Sequence, residues 1–277
     1  MSMAQIAALV AVLVAGLWAL VVAALWVFQR PLMYPAWAIP DQAAATPAPP
    51  GVEAVTVTTA DGERLGALWK PPAPGAPVVV SFHGNAATPK PYARRFATES
   101  PWAEAGTGVL AIAFRGYPGS TGAPSEAGLL ADADAAIAHV RTAAPDAPLV
   151  LHGHSLGAAV AVAAATAHPA ALLYLEAPFL SAVRMVEQRY PFAPTVLLSD
   201  TYRSDARLPG VRADAVLVTH GGRDGVVPHE QGRALAGLRD GAEFLSFPDE
   251  DHVSILGKGD GRAMDLLRTR TDPATAD

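Results

Sequence analysis

The chain has 277 residues, enough for one large α/β domain without requiring two. Just over half of them, 51%, are apolar, so a sizeable core is available, and the formal charge of −6 includes no basic cluster, which argues against nucleic acid as the main partner. Cysteine is absent, which excludes disulfides, zinc–thiolate sites and a thiolate nucleophile.

Residues 3–28 are apolar except for Gln5, and no charge follows until Arg30. About 20 such residues cross a bilayer. Trp18 lies inside the run, and Trp26, Tyr34 and Trp37 gather near its far edge, where interfacial aromatic residues sit. A secretory signal would have a shorter apolar core, of about 7–15 residues, behind a basic start. The small-residue site at Ala36 and Ala38 lies far beyond the apolar end. A buried soluble helix would carry a polar face, and this run has none. Residues 1–30 are therefore expected to form an uncleaved single-pass anchor in the cell membrane. Arg30 alone leans toward a cytoplasmic domain, which leaves the side of the membrane undetermined.

Residues 31–50, rich in proline and alanine and without period, read as a tether. Leu32, Met33, Tyr34 and Trp37 would be costly to leave in water, so part of it should pack on the domain that follows, residues 51–277. Two β-rich runs, 52–59 and 63–70, flank Asp61-Gly62 as a hairpin. Residues 77–82 read as a buried strand running into His83-Gly84-Asn85. A helix is expected over 91–104, and a second buried strand over 108–114 leads to the glycine-rich loop 115–120. Ser125 is placed to cap a helix whose Leu129, Leu130, Ala133, Ile137 and Val140 share one face.

The apolar run 148–151 then passes through Gly153-His154-Ser155-Leu156-Gly157 into an alanine-rich helix. Gly-x-Ser-x-Gly between strand and helix is a nucleophile elbow. The serine needs a strained turn to rise above the sheet, and side chains at Gly153 or Gly157 would collide with their surroundings. Further strands are expected over 171–176, 215–219 and 242–247. The alternation implies a mostly parallel sheet with an antiparallel hairpin at its start. Residues 178–210 lack strand character and read as a small helical cap whose apolar side chains line a substrate pocket.

A serine hydroxyl needs a base within reach, and that base needs an orienting acid. In this architecture the order is serine, acid, histidine. Asp224 follows the strand at 215–219 in a glycine-rich loop, and His252 follows the last strand, so Ser155, Asp224 and His252 are the candidate catalytic residues. Asp249, Glu250 and Asp251 lie too close in sequence to His252 to buttress its ring and read as a solvated turn, while Asp200 and Asp205 are weaker alternatives for the acid. His152 and His154 read as structural hydrogen-bonding groups, His83 as holding its loop, and His220 as a packed or capping side chain. The backbone N–H groups of Leu156 and Asn85 are the expected oxyanion donors, each contributing about 3–4 kcal/mol to lowering the barrier.

The segments PVVVSFHGN, AFRGYPGSTGAPSEAGL, APLVLHGHSLGAAVA and THGGRDGVVP, with FQRPLMYP after the apolar run, resemble the membrane-anchored α/β-hydrolase-domain serine hydrolases over nearly the whole chain. The resemblance implies an eight-stranded α/β-hydrolase sheet, a triad of Ser155, Asp224 and His252, no cofactor or metal, and activity on acyl esters or thioesters. Two departures from the family pattern stand out: Ala158 replaces a glycine, and the histidine loop is unusually acidic. An anchored site suits a lipid-like acyl substrate, because acyl chains partition into membranes at about 0.8 kcal/mol per CH₂. The alternatives are a prolyl-oligopeptidase-like serine peptidase, for which no propeller domain or amine-binding acidic cluster is evident, and a non-catalytic membrane scaffold that kept the fold.

Overall fold

The computed structural model describes residues 1–40, 43, 47–99 and 101–271. Parts of the expected tether and the last six residues of the expected domain lie outside the described residues.

Helix α1 (Met3–Met33) has a mean hydropathy of 2.8 over its most apolar stretch and is a candidate membrane span. Ser2 and Gln5 form a capping box at its start. The helix continues three residues past the expected boundary at residue 30. Pro31 lies in its last turn, and the Tyr34 N–H closes that turn on the Arg30 carbonyl at 2.8 Å. Leu32 and Trp37 remain exposed, whereas Tyr34 is buried and Met33 packs against the core.

The rest builds one eight-stranded sheet from β1 (Glu53–Thr58), β2 (Arg64–Lys70), β3 (Val78–Phe82), β4 (Gly108–Ile112), β5 (Leu149–His154), β6 (Ala170–Glu176), β7 (Ala213–Gly221) and β8 (Glu243–Phe247), in the order β1-β2-β4-β3-β5-β6-β7-β8. β2 pairs antiparallel with β1 and β4; every other pairing is parallel. The central strands are apolar on both faces because helices cover both. One face packs α3 (Glu126–Ala143) and α4 (Leu156–Ala167), with Leu235 and Ala236 of α7 (His229–Ala236). The other packs α2 (Lys90–Thr98) and α8 (Asp260–Thr271). Between β6 and β7 lie α5 (Ala182–Arg189), a 3₁₀ turn at Thr195–Leu197 and α6 (Ser204–Arg207).

Ser125 caps α3 as expected, its side chain accepting from the Gly128 N–H. The helix expected to reach residue 104 ends at Thr98. Glu99 is already extended (φ −107°, ψ 140°), and Pro101 cannot supply the N–H that another turn needs. The strand expected over 108–114 ends at Ile112, with the Ala113 N–H still donating to the Gly66 carbonyl of β2 at 2.8 Å.

The parallel register positions the loops. Phe82 lies opposite Gly153, His154 opposite Glu176, Glu176 opposite Thr219 and Gly221 opposite Phe247. The segments that follow β3, β5, β7 and β8 therefore leave one edge of the sheet together.

Candidate active site

Ser155 stands at the turn between β5 and α4 with φ 53° and ψ −116°, a left-handed conformation that a non-glycine residue holds only when its surroundings dictate it. Here they do. A Cβ on Gly157 would run into the Phe82 carbonyl, and one on Gly153 would run into the Gly157 carbonyl, so the turn is packed backbone against backbone. The Ser155 N–H continues the β5–β6 ladder by donating to the Glu176 carbonyl at 2.9 Å. Ala158, the departure from the family pattern, is fully buried in α4.

The three candidate catalytic side chains meet. His252 Nε2 lies 3.0 Å from Ser155 Oγ, and His252 Nδ1 lies 2.7 Å from Asp224 Oδ2. Asp224 is turned to face the ring by the Val226 and Val227 N–H groups, which both donate to its Oδ1 at 2.8 Å. His220, four residues earlier, places Nε2 3.2 Å from Asp224 Oδ2 and 3.1 Å from the Val227 carbonyl. Burial by itself would push the Asp224 carboxyl up. Hydrogen bonds from His220, His252 and the Val227 amide outweigh it and hold the group well below the usual carboxylate range. The acid is thus ionised wherever His252 could act as a base.

The loops that carry Asp224 and His252 are tied to each other. Gly222 N–H donates to the Phe247 carbonyl at 2.8 Å and Arg223 N–H to the Glu250 carbonyl at 2.9 Å. The acidic run is a turn open to solvent, as expected, with Asp249 and Asp251 exposed. Asp251 accepts from the Val253 and Ser254 N–H groups at 2.8 Å, and Glu250 and Asp249 pair with Lys258 and Arg223. Asp200 and Asp205 do not approach His252. Asp200 accepts from Arg30 Nε and from the Glu126 N–H, and Asp205 pairs with Arg203.

The flanking histidines hold loops. His83 sets Nδ1 2.7 Å from the Gly84 carbonyl and accepts from the Phe114 N–H at its Nε2; burial lowers it to about 4, so it is neutral. His154 places Nδ1 3.0 Å from the Tyr92 hydroxyl and Nε2 2.9 Å from the His252 carbonyl. Burial, reinforced by His252, lowers it to about 4 as well. Tyr92 also accepts from the Gly84 N–H, so one chain of hydrogen bonds joins the loop carrying Asn85 to the loop carrying His252.

Beneath Ser155 is a buried network that sequence reasoning missed. Glu176 accepts from Arg95 at 2.6 and 3.1 Å, from the Tyr174 hydroxyl at 3.0 Å and from the Gly257 N–H at 2.9 Å, and lies 2.8 Å from His152 Nε2. Arg95 also pairs with Asp260. Burial would raise the Glu176 carboxyl; the Arg95 charge and the His152 hydrogen bond outweigh it and keep it ionised. The network locks the ends of β5 and β6 to the turn after His252. Apart from Tyr174 and Glu176, its side chains meet across 24 to 165 residues, so only the lone charge of Glu176 in an apolar strand could have hinted at it.

Asn85, Ser155 and Leu156 line one cavity of 290 Å³, and among the described residues neither the Asn85 nor the Leu156 N–H donates to a protein acceptor. Leu156 is the first residue of α4, where helix N–H groups have no partner within the helix. The remaining lining is almost wholly apolar and comes from the 178–210 segment, the acid loop and the last third of α1. Among the described residues no cluster of three or more histidine, aspartate or glutamate side chains is arranged to hold a metal.

The family described as serine aminopeptidase, S33, matches residues 74–204. The uncharacterised protein Rv2307c of Mycobacterium tuberculosis is 38% identical over 251 residues, covering 87% of this chain and 86% of its own. YfhR of Salmonella typhimurium is 31% identical over 253 residues, covering 84% of each. In three dimensions the chain is similar to the esterase Pf2001 of Pyrococcus furiosus, with a TM-score of 0.62 at 17% identity over 84% of this chain and 94% of that one, a likeness of fold. Sheet order, elbow and relatives agree: this chain belongs to the α/β-hydrolase-domain family and is a hydrolase.

Proposed function

We propose that the protein is a membrane-tethered serine hydrolase that cleaves acyl esters or thioesters of lipid-like substrates through an acyl-enzyme on Ser155. The observation that carries this reading is the His252 ring, which bridges Ser155 Oγ at 3.0 Å and Asp224 at 2.7 Å. Ser155 Oγ attacks the acyl carbonyl while His252 Nε2 takes its proton and Nδ1–H donates to ionised Asp224. The tetrahedral oxyanion receives the Asn85 and Leu156 N–H groups. Collapse expels the alcohol or thiol, which leaves with the proton from Nε2. Water then attacks the acyl-serine with the same histidine as base, releasing the acid.

The cavity supports this substrate class. Its lining contains no charged side chain, whereas an aminopeptidase must satisfy a substrate ammonium group. That favours an acyl chain over a peptide. The 178–210 segment acts as the cap, and α1 as the membrane anchor. The test is labelling of the folded, detergent-solubilised protein with a fluorophosphonate, followed by a panel of esters. Modification at Ser155 with preference for long acyl chains is expected. A folded protein that does not label would support the scaffold reading, and one that cleaves only short water-soluble esters would remove the lipid-like substrate.

A further inference from the structure

Helix α1 is longer than an anchor needs. Its 31 residues extend about 46 Å at about 1.5 Å per residue, against a hydrocarbon core of about 30 Å. Roughly the last ten residues therefore project to or past the membrane edge. In that part, Val22, Leu25, Gln29 and Met33 are half-buried while their neighbours on the helix stay exposed. The spacing of three, four and four residues marks a single helical face. All four line the cavity that contains Ser155.

The helix is fastened to the segment opposite by polar contacts at several heights. Trp18 Nε1 donates to the Phe192 carbonyl at 3.1 Å, the Ser199 N–H donates to Gln29 Oε1 at 2.7 Å, Arg30 pairs with buried Asp200 at 3.1 Å, and the Tyr34 and Tyr202 hydroxyls meet at 2.8 Å. Between these contacts the cavity wall is apolar. In the same segment Tyr190 and Leu197, at the cavity lining, and Phe192 and Val196 are exposed, Val196 to 87%. The Trp18 contact brings this apolar tip alongside a residue deep within the membrane-spanning part of α1.

We propose that α1 is a wall of the acyl-binding cavity as well as an anchor: its Val22–Leu25–Gln29–Met33 face and the apolar cap opposite hold one acyl chain, with the ester carbonyl at Ser155. This rests on the serine-hydrolase reading. A volume of 290 Å³ lies at the lower end of the roughly 300–1,000 Å³ of small-molecule sites and suits one chain rather than a two-chain lipid. The exposed tip sits in the leaflet, so the chain passes sideways between cap and α1 without crossing water.

The test uses the full-length protein in detergent micelles, with p-nitrophenyl butyrate and p-nitrophenyl myristate as substrates and fluorophosphonate labelling as the check on Ser155. Leu25→Trp and Val22→Trp fill the wall and should lower the myristate-to-butyrate ratio of kcat/KM by at least about tenfold, the loss of roughly two buried methylenes. Leu13→Trp, on the exposed part of α1 away from the cavity, should leave the ratio unchanged. A second measurement reads the placement directly. A long-chain alkyl fluorophosphonate with a terminal diazirine, bound at Ser155 and irradiated, should crosslink to residues 22–33. Proteins that label normally but keep the parental ratio in both wall variants, or crosslinks confined to residues beyond 50, would overturn the proposal. Failure of the parent to label at Ser155 would instead remove the serine-hydrolase reading beneath it.

Discussion

Two walls of one cavity are built by opposite means. On the sheet side, the residues after β5, β6 and β7 extend the strand ladder, the elbow glycines leave no room for a Cβ against neighbouring carbonyls, and buried Arg95 and Glu176 brace the turn from below. On the other side, α1 and the 178–210 segment meet through a few separated polar contacts with apolar side chains between them. On the proposed reading, the chemistry is held where the backbone is over-determined, and selection of the substrate is left to a seam of side chains. A protein arranged this way can change what it cleaves without disturbing how it cleaves.

The most severe way to break this contrast is at the serine. Ser155→Ala should reduce ester turnover by roughly 10⁶ while leaving thermal unfolding within a few degrees, as read by kinetics and calorimetry. Asp224→Asn comes next. It keeps the shape but spoils the tautomer of His252, so kcat should fall by about 10⁴. Changes on the α1 side, such as Leu25→Trp, should instead alter chain-length preference, by about tenfold.

Acid should weaken the sheet side first. Buried His83 and His154 titrate near 4 in the folded protein against an ordinary histidine value of 6.5. The unfolded chain therefore binds more protons through that interval. Stability is fully present above 6.5 and falls as the pH drops toward 4, by up to about 1.4 kcal/mol per histidine for each pH unit. Urea unfolding at pH 7 and pH 5 should differ by a few kcal/mol, and His154→Gln should flatten that slope; an unchanged slope would show that this ring does not contribute it. The smallest effect is expected at Arg30→Ala. Its half-exposed ion pair with Asp200 is worth about 0.2–1 kcal/mol, so Tm should drop by no more than about 4 °C.

Much of the sheet edge could be read from the sequence because its signals are local. A short apolar strand, a glycine-rich turn and a serine, acid or histidine occupy a few consecutive residues each, and parallel pairing then brings the turns to one side. Ser155, Asp224 and His252 are such cases. His220, four residues before the acid, had a readable spacing, but its contact with the carboxylate depends on the fold of the intervening loop. The brace formed by Arg95, Glu176 and Asp260 and the contacts of Trp18 with Phe192 join residues 81 to 174 positions apart, and no periodicity or motif encodes such a meeting. The apolar run of α1 was legible as a candidate span. Its half-buried face was not, because Val22 and Leu25 look the same in sequence whether they meet lipid or protein.

The buried Tyr34 and the stripe above it bear on how such an enzyme should be handled at the bench. Trimming the leading 33 residues to obtain a water-soluble sample would leave the elbow, base and acid standing yet strip one flank from the chamber. If α1 is the wall proposed above, such a sample would still label at the serine but would show a lowered preference for long acyl chains, and inhibitors chosen with it would be fitted to a cleft open on one flank.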